Sequence, residues 1–192
     1  HRPKLGIIPA GTTNDYARAL KIPRESPVEA AKVIARGETI KIDIGMAGEK
    51  YFVNIAGGGL LTELTYVVPS EVKSLFGYLA YFVKGAEMLP RMKPIDMHLE
   101  YDDGVYDGKA SMFFLALTNS VGGFEQLVPD ASLNDGKFTL IVVKTSNLME
   151  ILQLFTKILN GGKHIDDPRI LYVKTSKVVA KPVNEKMMIN ID

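Results

Sequence analysis

The chain has 192 residues, 46% apolar and 23% charged, with a net charge of +1 and no cysteine. It is long enough to bury a sizeable core, and its charge is too balanced for a general attraction to nucleic acid. Disulfides and thiolate metal sites are excluded, no apolar run approaches the ~18 residues of a membrane span, and no signal-peptide pattern is visible, which together suit a cytosolic protein.

Residues 5–8 read as a short buried strand, followed by the loop Pro9-Ala10-Gly11-Thr12-Thr13-Asn14 and a helical turn over 16–20. Ser26-Pro27-Val28-Glu29 combines a Ser cap, Pro at the first helical position and Glu three residues after the cap. Ala30, Ala31, Val33 and Ile34 give that helix an apolar face, and Gly37 ends it. The pattern then changes, placing a domain boundary near residue 38, with 1–38 and 39–192 as separate units. Residues 39–45 and 50–56 read as paired strands.

A helix is expected over 70–89, stopped by Pro90, with Gly77 and Gly85 thinning one face. Strands are expected over 97–101, 110–118, 138–143, 170–173, 177–180 and 187–191. Asp102-Asp103-Gly104 is a hairpin signal, and Tyr106-Asp107-Gly108 reads as a further turn. Residues 112–117 are continuously apolar and should be buried on both faces. Residues 147–160 form a helix that is apolar almost all round, the pattern of a core helix. The fold class is α+β and β-rich: a two-layer β-sandwich-like domain with inserted helices, preceded by a strand-helix remnant of an α/β nucleotide-binding domain.

Several polar residues can carry chemistry. Gly11, Thr12, Thr13 and Asn14 follow a strand and open a helix, where ligand crevices of α/β sheets lie. The same residues also suit an ordinary N-cap. Asp15 in the first helical turn complements the helix dipole. Ser132-Leu133-Asn134-Asp135-Gly136-Lys137 is turn chemistry, yet it also offers hard oxygen ligands for Mg²⁺: the Asp135 carboxylate and the carbonyls of Ser132 and Lys137. Asp43 lies in an apolar stretch, where it either needs a partner or occupies a wet strand face. His164, beside Asp166 and Asp167, reads as part of a solvated loop.

Pro-Ala-Gly-Thr-Thr-Asn-Asp-Tyr-Ala-Arg at 9–18 resembles the second signature of the diacylglycerol kinase catalytic-domain family. That family includes the soluble bacterial lipid kinases and the sphingosine and ceramide kinases. The resemblance continues through Phe52-Val53-Asn54-Ile55-Ala56-Gly57-Gly58-Gly59, Gly122-Gly123-Phe124, and Val128-Pro129-Asp130-Ala131-Ser132-Leu133-Asn134-Asp135-Gly136. It implies an ATP- and Mg²⁺-dependent kinase that moves a γ-phosphoryl group to the hydroxyl of diacylglycerol or a similar lipid. It further implies nucleotide binding at Gly11, Thr12, Thr13 and Asn14, and a Mg²⁺ site at Ser132, Asp135 and Lys137. Asp15 would join an Asp–Lys network. Asp192 aligns with the Asp of an Asp-Gly-Glu signature whose acidic residues deprotonate the lipid hydroxyl.

The family's Gly-Gly-Asp-Gly-Thr loop does not occur in this sequence. The chain is therefore read as a fragment that would be inactive alone. Expected partners are a diacylglycerol-like lipid, a membrane surface touched peripherally and a second copy in a homodimer, with a cytoplasmic location and transient visits to the membrane. The helix over 70–89 is one candidate wall for an acyl cleft. Two other functions fit the residues less completely: a kinase for a soluble polyol or nucleotide, and a non-catalytic lipid-binding β-sandwich.

Overall fold

A computed structural model describes residues 4–11, 13–59, 94–144, 147–183 and 187–192. The helix expected over 70–89, with Gly77 and Gly85, and Thr12 lie outside the described residues. Two helices come first, α1 (Asp15–Ala19) and α2 (Pro27–Ala35). α2 starts as its sequence dictates, with the Ser26 hydroxyl accepting the Glu29 N–H at 3.3 Å. Residues 5–8 form no strand among the described residues, and Leu5 and Ile8 are exposed. Apolar content alone made them look like a strand, but a strand also needs a ladder partner.

β1 (Gly45–Ala47) and β2 (Lys50–Phe52) make a small hairpin. It is shorter than the expected pair. Residues 39–44 form no strand among the described residues, and residues 55–59 join a different sheet. That sheet is antiparallel, in the order β10 (Ile189–Ile191), β3 (Ile55–Gly59), β6 (Met112–Ala116), β7 (Phe138–Val143), β8 (Ile170–Thr175). A second sheet has the order β5 (Gly104–Ala110), β4 (Ile95–Tyr101), β9 (Val178–Pro182). The Asp102–Asp103 turn joins β4 to β5 as its sequence predicts. Tyr106-Asp107-Gly108 is not a turn: it pairs with Leu99, His98 and Met97. The ladder overrides a local Asp-Gly signal, and the Asp107 carboxylate pairs with His98 Nδ1 at 2.5 Å.

Strand alternation explains how the layers stack. On one face of β6 and β7, Phe113, Leu140 and Val142 pack against Met97, Leu99 and Ala110 of the three-stranded sheet. On the other face, Phe114, Ala116, Ile141 and Val143 pack with Leu154 of α3 (Leu148–Leu159). Both faces of residues 112–117 therefore meet protein, as their unbroken apolar run requires. Each buried large apolar side chain contributes about 1.5–3 kcal/mol, against about 0.5–1.5 kcal/mol for an ordinary hydrogen bond. These two faces dominate the stability of the domain.

β5 crosses into β6 through Ser111, whose N–H donates to Val143 O at 2.9 Å. The crossing presses on β3. Gly59 has φ +80°, and a Cβ there would stand 2.5 Å from Ser111 O, so only glycine fits.

The connection from α3 to β8 is not a solvated loop. His164 is 1% exposed and Asp167 3%. Asp167 Oδ1 accepts from Arg169 Nε at 2.8 Å, and Oδ2 accepts from Arg169 Nη2 at 2.7 Å and Lys157 Nζ at 2.6 Å. The fork matches a carboxylate, which is why this acid can be buried. Arg169 beside it holds the Asp167 carboxyl well below its ordinary value.

Asp167→Asn should therefore lower stability by about 3 kcal/mol at neutral pH, since Arg169 and Lys157 keep some water. A depressed folded value means the contribution is complete above about pH 5 and is lost as pH falls below about 4. Denaturant unfolding of both proteins at pH 7 and pH 3 checks this, with the difference between them shrinking at pH 3.

Candidate active site

The loop before α1 closes on itself. Asn14 is left-handed, with φ 49° and ψ 43°, and its side chain makes no capping bond to α1. Instead the Gly11 N–H donates to Asn14 Oδ1 at 2.8 Å and Asn14 Nδ2 donates to Gly11 O at 2.9 Å. The Asn14 amide is thus committed within the loop rather than offered outward.

Asp15, the next residue, does more than complement a dipole. Its Oδ1 accepts from Ser120 Oγ at 2.7 Å and from the Gly123 N–H at 2.6 Å. Gly123 presents that N–H from a left-handed turn with φ +83°. Arg18, one helical turn on, pairs with Glu125 at 2.8 Å. Asp15 thus clasps the 120–123 loop through its carboxylate.

The polar chain continues from Ser120. Its N–H donates to Thr118 Oγ1 at 3.4 Å, and the Thr118 hydroxyl makes a short hydrogen bond to Asn54 Oδ1. The backbone N–H groups of Asn54 and Ile55 then donate to Asp192 Oδ2 and Oδ1, each at 2.9 Å. Asp15 and Asp192 are consequently the two ends of one hydrogen-bonded network. Tyr16 stands beside it with its hydroxyl buried and without a hydrogen-bond partner. Burial, and secondarily the Asp192 carboxylate, raise the Tyr16 phenol above its ordinary range, so it stays protonated.

Asp15, Asp192 and Thr13 also line a cavity of about 470 Å³. The rest of its wall is almost wholly apolar. Met112, Phe114, Ile141 and Val143 form the sheet side, and Ile151, Leu154, Phe155 and Ile158 of α3 face them. Phe124 closes a flank, edge-on to Phe155 with centroids 5.1 Å apart and an interplanar angle of 84°. A core helix would leave no such space. α3 therefore acts as the roof of a cavity, although Leu154 is buried as a core residue would be. The cavity lies between the sheet and α3, not between the two sheets.

The turn at 132–137 lies apart from the residues that line the cavity. Asp43 docks onto it, its N–H donating to Leu133 O at 2.7 Å and its Oδ2 accepting from the Gly136 N–H at 2.7 Å. Asp43 thus belongs to a network and not simply to a wet strand face. Asp135 Oδ1 accepts from the Lys137 N–H at 3.1 Å, and Asp135 Oδ2 is 3.6 Å from Lys174 Nζ. Among the described residues no three His, Cys, Asp or Glu side chains cluster to hold a metal. One carboxylate plus carbonyls suits Mg²⁺, which takes few protein ligands and keeps its waters. The donor set of Ser132, Asp135 and Lys137 fits that ion.

Two comparisons with sequence families match this chain: a family described as the YegS C-terminal NAD kinase beta sandwich-like domain covers residues 64–192, and the diacylglycerol kinase catalytic domain covers residues 1–47. The chain belongs to the family of the YegS C-terminal NAD kinase beta sandwich-like domain, with a diacylglycerol kinase catalytic-domain match at its start. Proteins named diacylglycerol kinase from Bacillus subtilis (strain 168) and Staphylococcus aureus (strain Newman) are 52% and 47% identical to it over its whole length. The chain spans 63% and 60% of those proteins. A solved Bacillus anthracis structure, provisionally assigned as a diacylglycerol kinase, shares the fold with a TM-score of 0.80 and 26% identity, covering 99% of this chain and 61% of that one.

Of the residues that carried the family resemblance, Thr13, Asp15 and Asp192 line the cavity, Gly11 and Asn14 bond each other in the loop that leads to Asp15, and Ser132, Asp135 and Lys137 lie on a separate turn. Asn54, Thr118 and Ser120 were not singled out from sequence. Their signal was available: a polar triplet, Thr118-Asn119-Ser120, abruptly ends an apolar strand. Asp15→Ala leaves the Ser120 hydroxyl and the Gly123 N–H without their acceptor, at a cost of about 2–3 kcal/mol. The thermal midpoint should fall by several degrees, and Asp15→Asn, which keeps one acceptor oxygen, should recover part of that loss.

Proposed function

We propose that this chain supplies the lipid-binding and acceptor-activating part of an ATP- and Mg²⁺-dependent kinase that phosphorylates diacylglycerol or a similar lipid. The observation that carries this reading is the apolar cavity with Asp15 and Asp192 at one end. Hydrocarbon gains about 25 cal/mol per Å² on leaving water, so such a space favours an acyl chain. A hydroxyl at the head of that chain would then rest near the carboxylates. A soluble polyol would gain nothing from the same walls.

In the reaction, the bond from the γ-phosphorus to its bridging oxygen breaks and a bond to the lipid hydroxyl oxygen forms. Asp192 orients that hydroxyl and takes its proton. The Asn54 and Ile55 N–H groups hold the Asp192 carboxylate in place, and preorganisation of this kind avoids rearrangement during the reaction. Asp15 ties the nucleotide loop, Gly11 to Asn14, to residues 118–123 and so sets the distance between donor and acceptor. Mg²⁺ at Asp135, Ser132 and Lys137 would supply positive charge against the phosphates. Contact of this chain with the membrane is at its surface in this reading; no described helix is long and apolar enough to cross a membrane.

Ile158→Trp places an indole in the cavity. Binding of 1,2-dioctanoylglycerol, followed by titration calorimetry, should weaken at least tenfold while the unfolding midpoint stays within a few degrees. Equal affinity in a folded variant would place the lipid elsewhere. In a protein extended to the length of its relatives, Asp135→Ala should reduce Mg²⁺-dependent phosphate transfer to diacylglycerol. Full retention of that activity would leave 132–137 as a turn alone.

A further inference from the structure

Of the polar side chains on the wall of the lipid cavity, the reading above uses Thr13, Asp15 and Asp192. His164 is engaged elsewhere: it precedes β8 at the opposite edge of the sheet, and its Nε2 donates to Leu127 O at 2.9 Å. Asn190 also lines the cavity and has no role in that reading.

The sheet register fixes the direction of Asn190. It pairs with Gly57 on β3, and Gly57 pairs with Phe114 on β6. Directly paired residues of neighbouring strands share a face, and Phe114 packs in the cluster beneath α3. Asn190 therefore projects on the α3 face, into the cavity that it lines. Ile191 projects the other way, against Phe52, Ala56 and Leu117, as alternation demands. Gly57 puts no side chain between the Phe114 ring and the Asn190 amide.

Asp192 prolongs β10, its N–H donating to Ile55 O at 3.3 Å. Two residues beyond Asn190, it returns to the same face. The two positions are about 7 Å apart along the strand, and both side chains are short. A ligand whose hydroxyl meets Asp192 thus presents to Asn190 the group a few bonds away. In a 1,2-diacylglycerol that group is an ester. Five bonds separate the free hydroxyl oxygen from the carbonyl oxygen of the nearer acyl group. An ester carbonyl only accepts. An asparagine amide has two N–H donors and a carbonyl acceptor, so one protein neighbour does not exhaust it.

We propose that Asn190 is a specificity-determining residue that donates a hydrogen bond to the ester carbonyl on the glycerol carbon next to the reacting hydroxyl. Asp192 takes the hydroxyl and Asn190 the ester. Strand β10 reads both polar groups of the lipid head while the hydrocarbon lies beneath α3. A lipid with an ether oxygen in place of that ester offers no carbonyl, and a site built to hydrogen-bond a group rejects the analogue that lacks it. The site therefore prefers an ester to an ether at that carbon and is indifferent to the linkage at the far carbon.

This inference rests on the cavity being the lipid site, and the test separates the two claims. The probes are 1,2-dioctanoylglycerol, 1-octanoyl-2-O-octylglycerol and 1-O-octyl-2-octanoylglycerol, titrated into this chain by calorimetry. The 2-ether should bind about tenfold more weakly than the diester, the scale of one hydrogen bond, and the 1-ether should bind as the diester does. Asn190→Leu keeps the size of the side chain and removes the donor, and should bring the diester-to-2-ether ratio to about one. Because a change in an edge strand can itself loosen the sheet, infrared spectra of diester carrying a ¹³C carbonyl at position 2 provide a second readout in the wild-type protein. That band should lie at lower wavenumber in the complex than in hydrocarbon solvent. Failure of 1,2-dioctanoylglycerol to bind would refute the lipid reading, and this inference with it. Equal affinity for the diester and the 2-ether, a hydrocarbon-like carbonyl band in the wild-type complex, or a preference surviving in Asn190→Leu would overturn the role of Asn190 alone.

Discussion

The organisation of this domain depends on two adjacent strands, β6 and β7, that are apolar on both faces. One face is covered by the three-stranded sheet and forms a closed core. The other meets α3 and is covered only in part, leaving the cavity. A strand with one wet face would need only one apolar layer. These strands require two, and the incompleteness of the second layer is what makes room for a ligand.

The polar network is positioned by that same frame. Asn54 immediately precedes β3 and Ile55 begins it, Thr118 and Ser120 follow β6, and Asp192 follows β10, so all come from one end of neighbouring strands. Only Asp15 arrives from outside the sheet, on a short helix. Its two hydrogen bonds to Ser120 and Gly123, with the Arg18–Glu125 ion pair one helical turn on, tie the loop at 11–14 to the sandwich. Buried ionic groups elsewhere secure the roof: Asp167, held by Arg169 and Lys157, fixes the C-terminal end of α3 against β8.

Much of this was legible in the sequence where the signal was physical and local. The run 112–117 declared its double burial, Asn147 and Ser26 marked helix starts, and the Asp102–Asp103 turn marked a hairpin. The failures share a cause. Residues 5–8 and 39–44 carry strand-like apolar residues but find no ladder partner among the described residues, Tyr106-Asp107-Gly108 has turn chemistry but possesses them, and neither fact is written in a short window. His164 and Asp167 read as solvated because polar residues usually are, and their burial depends on Leu127 and Arg169, which no spacing rule connects. The cavity could not be read at all. An all-round apolar helix predicts contact with a core, and how fully it fills the space beneath it is a tertiary property.

The central claim is that the space beneath α3 is where the acyl chain lies. A diacylglycerol bearing a photoreactive diazirine within its acyl chain, irradiated with the protein and mapped by peptide mass spectrometry, tests it directly. The account predicts labelling of Ile151, Phe155 or Ile158 on α3, and of Phe124 opposite, suppressed by excess unlabelled diacylglycerol. Competable labelling confined to the three-stranded sheet, with none on α3, would contradict it.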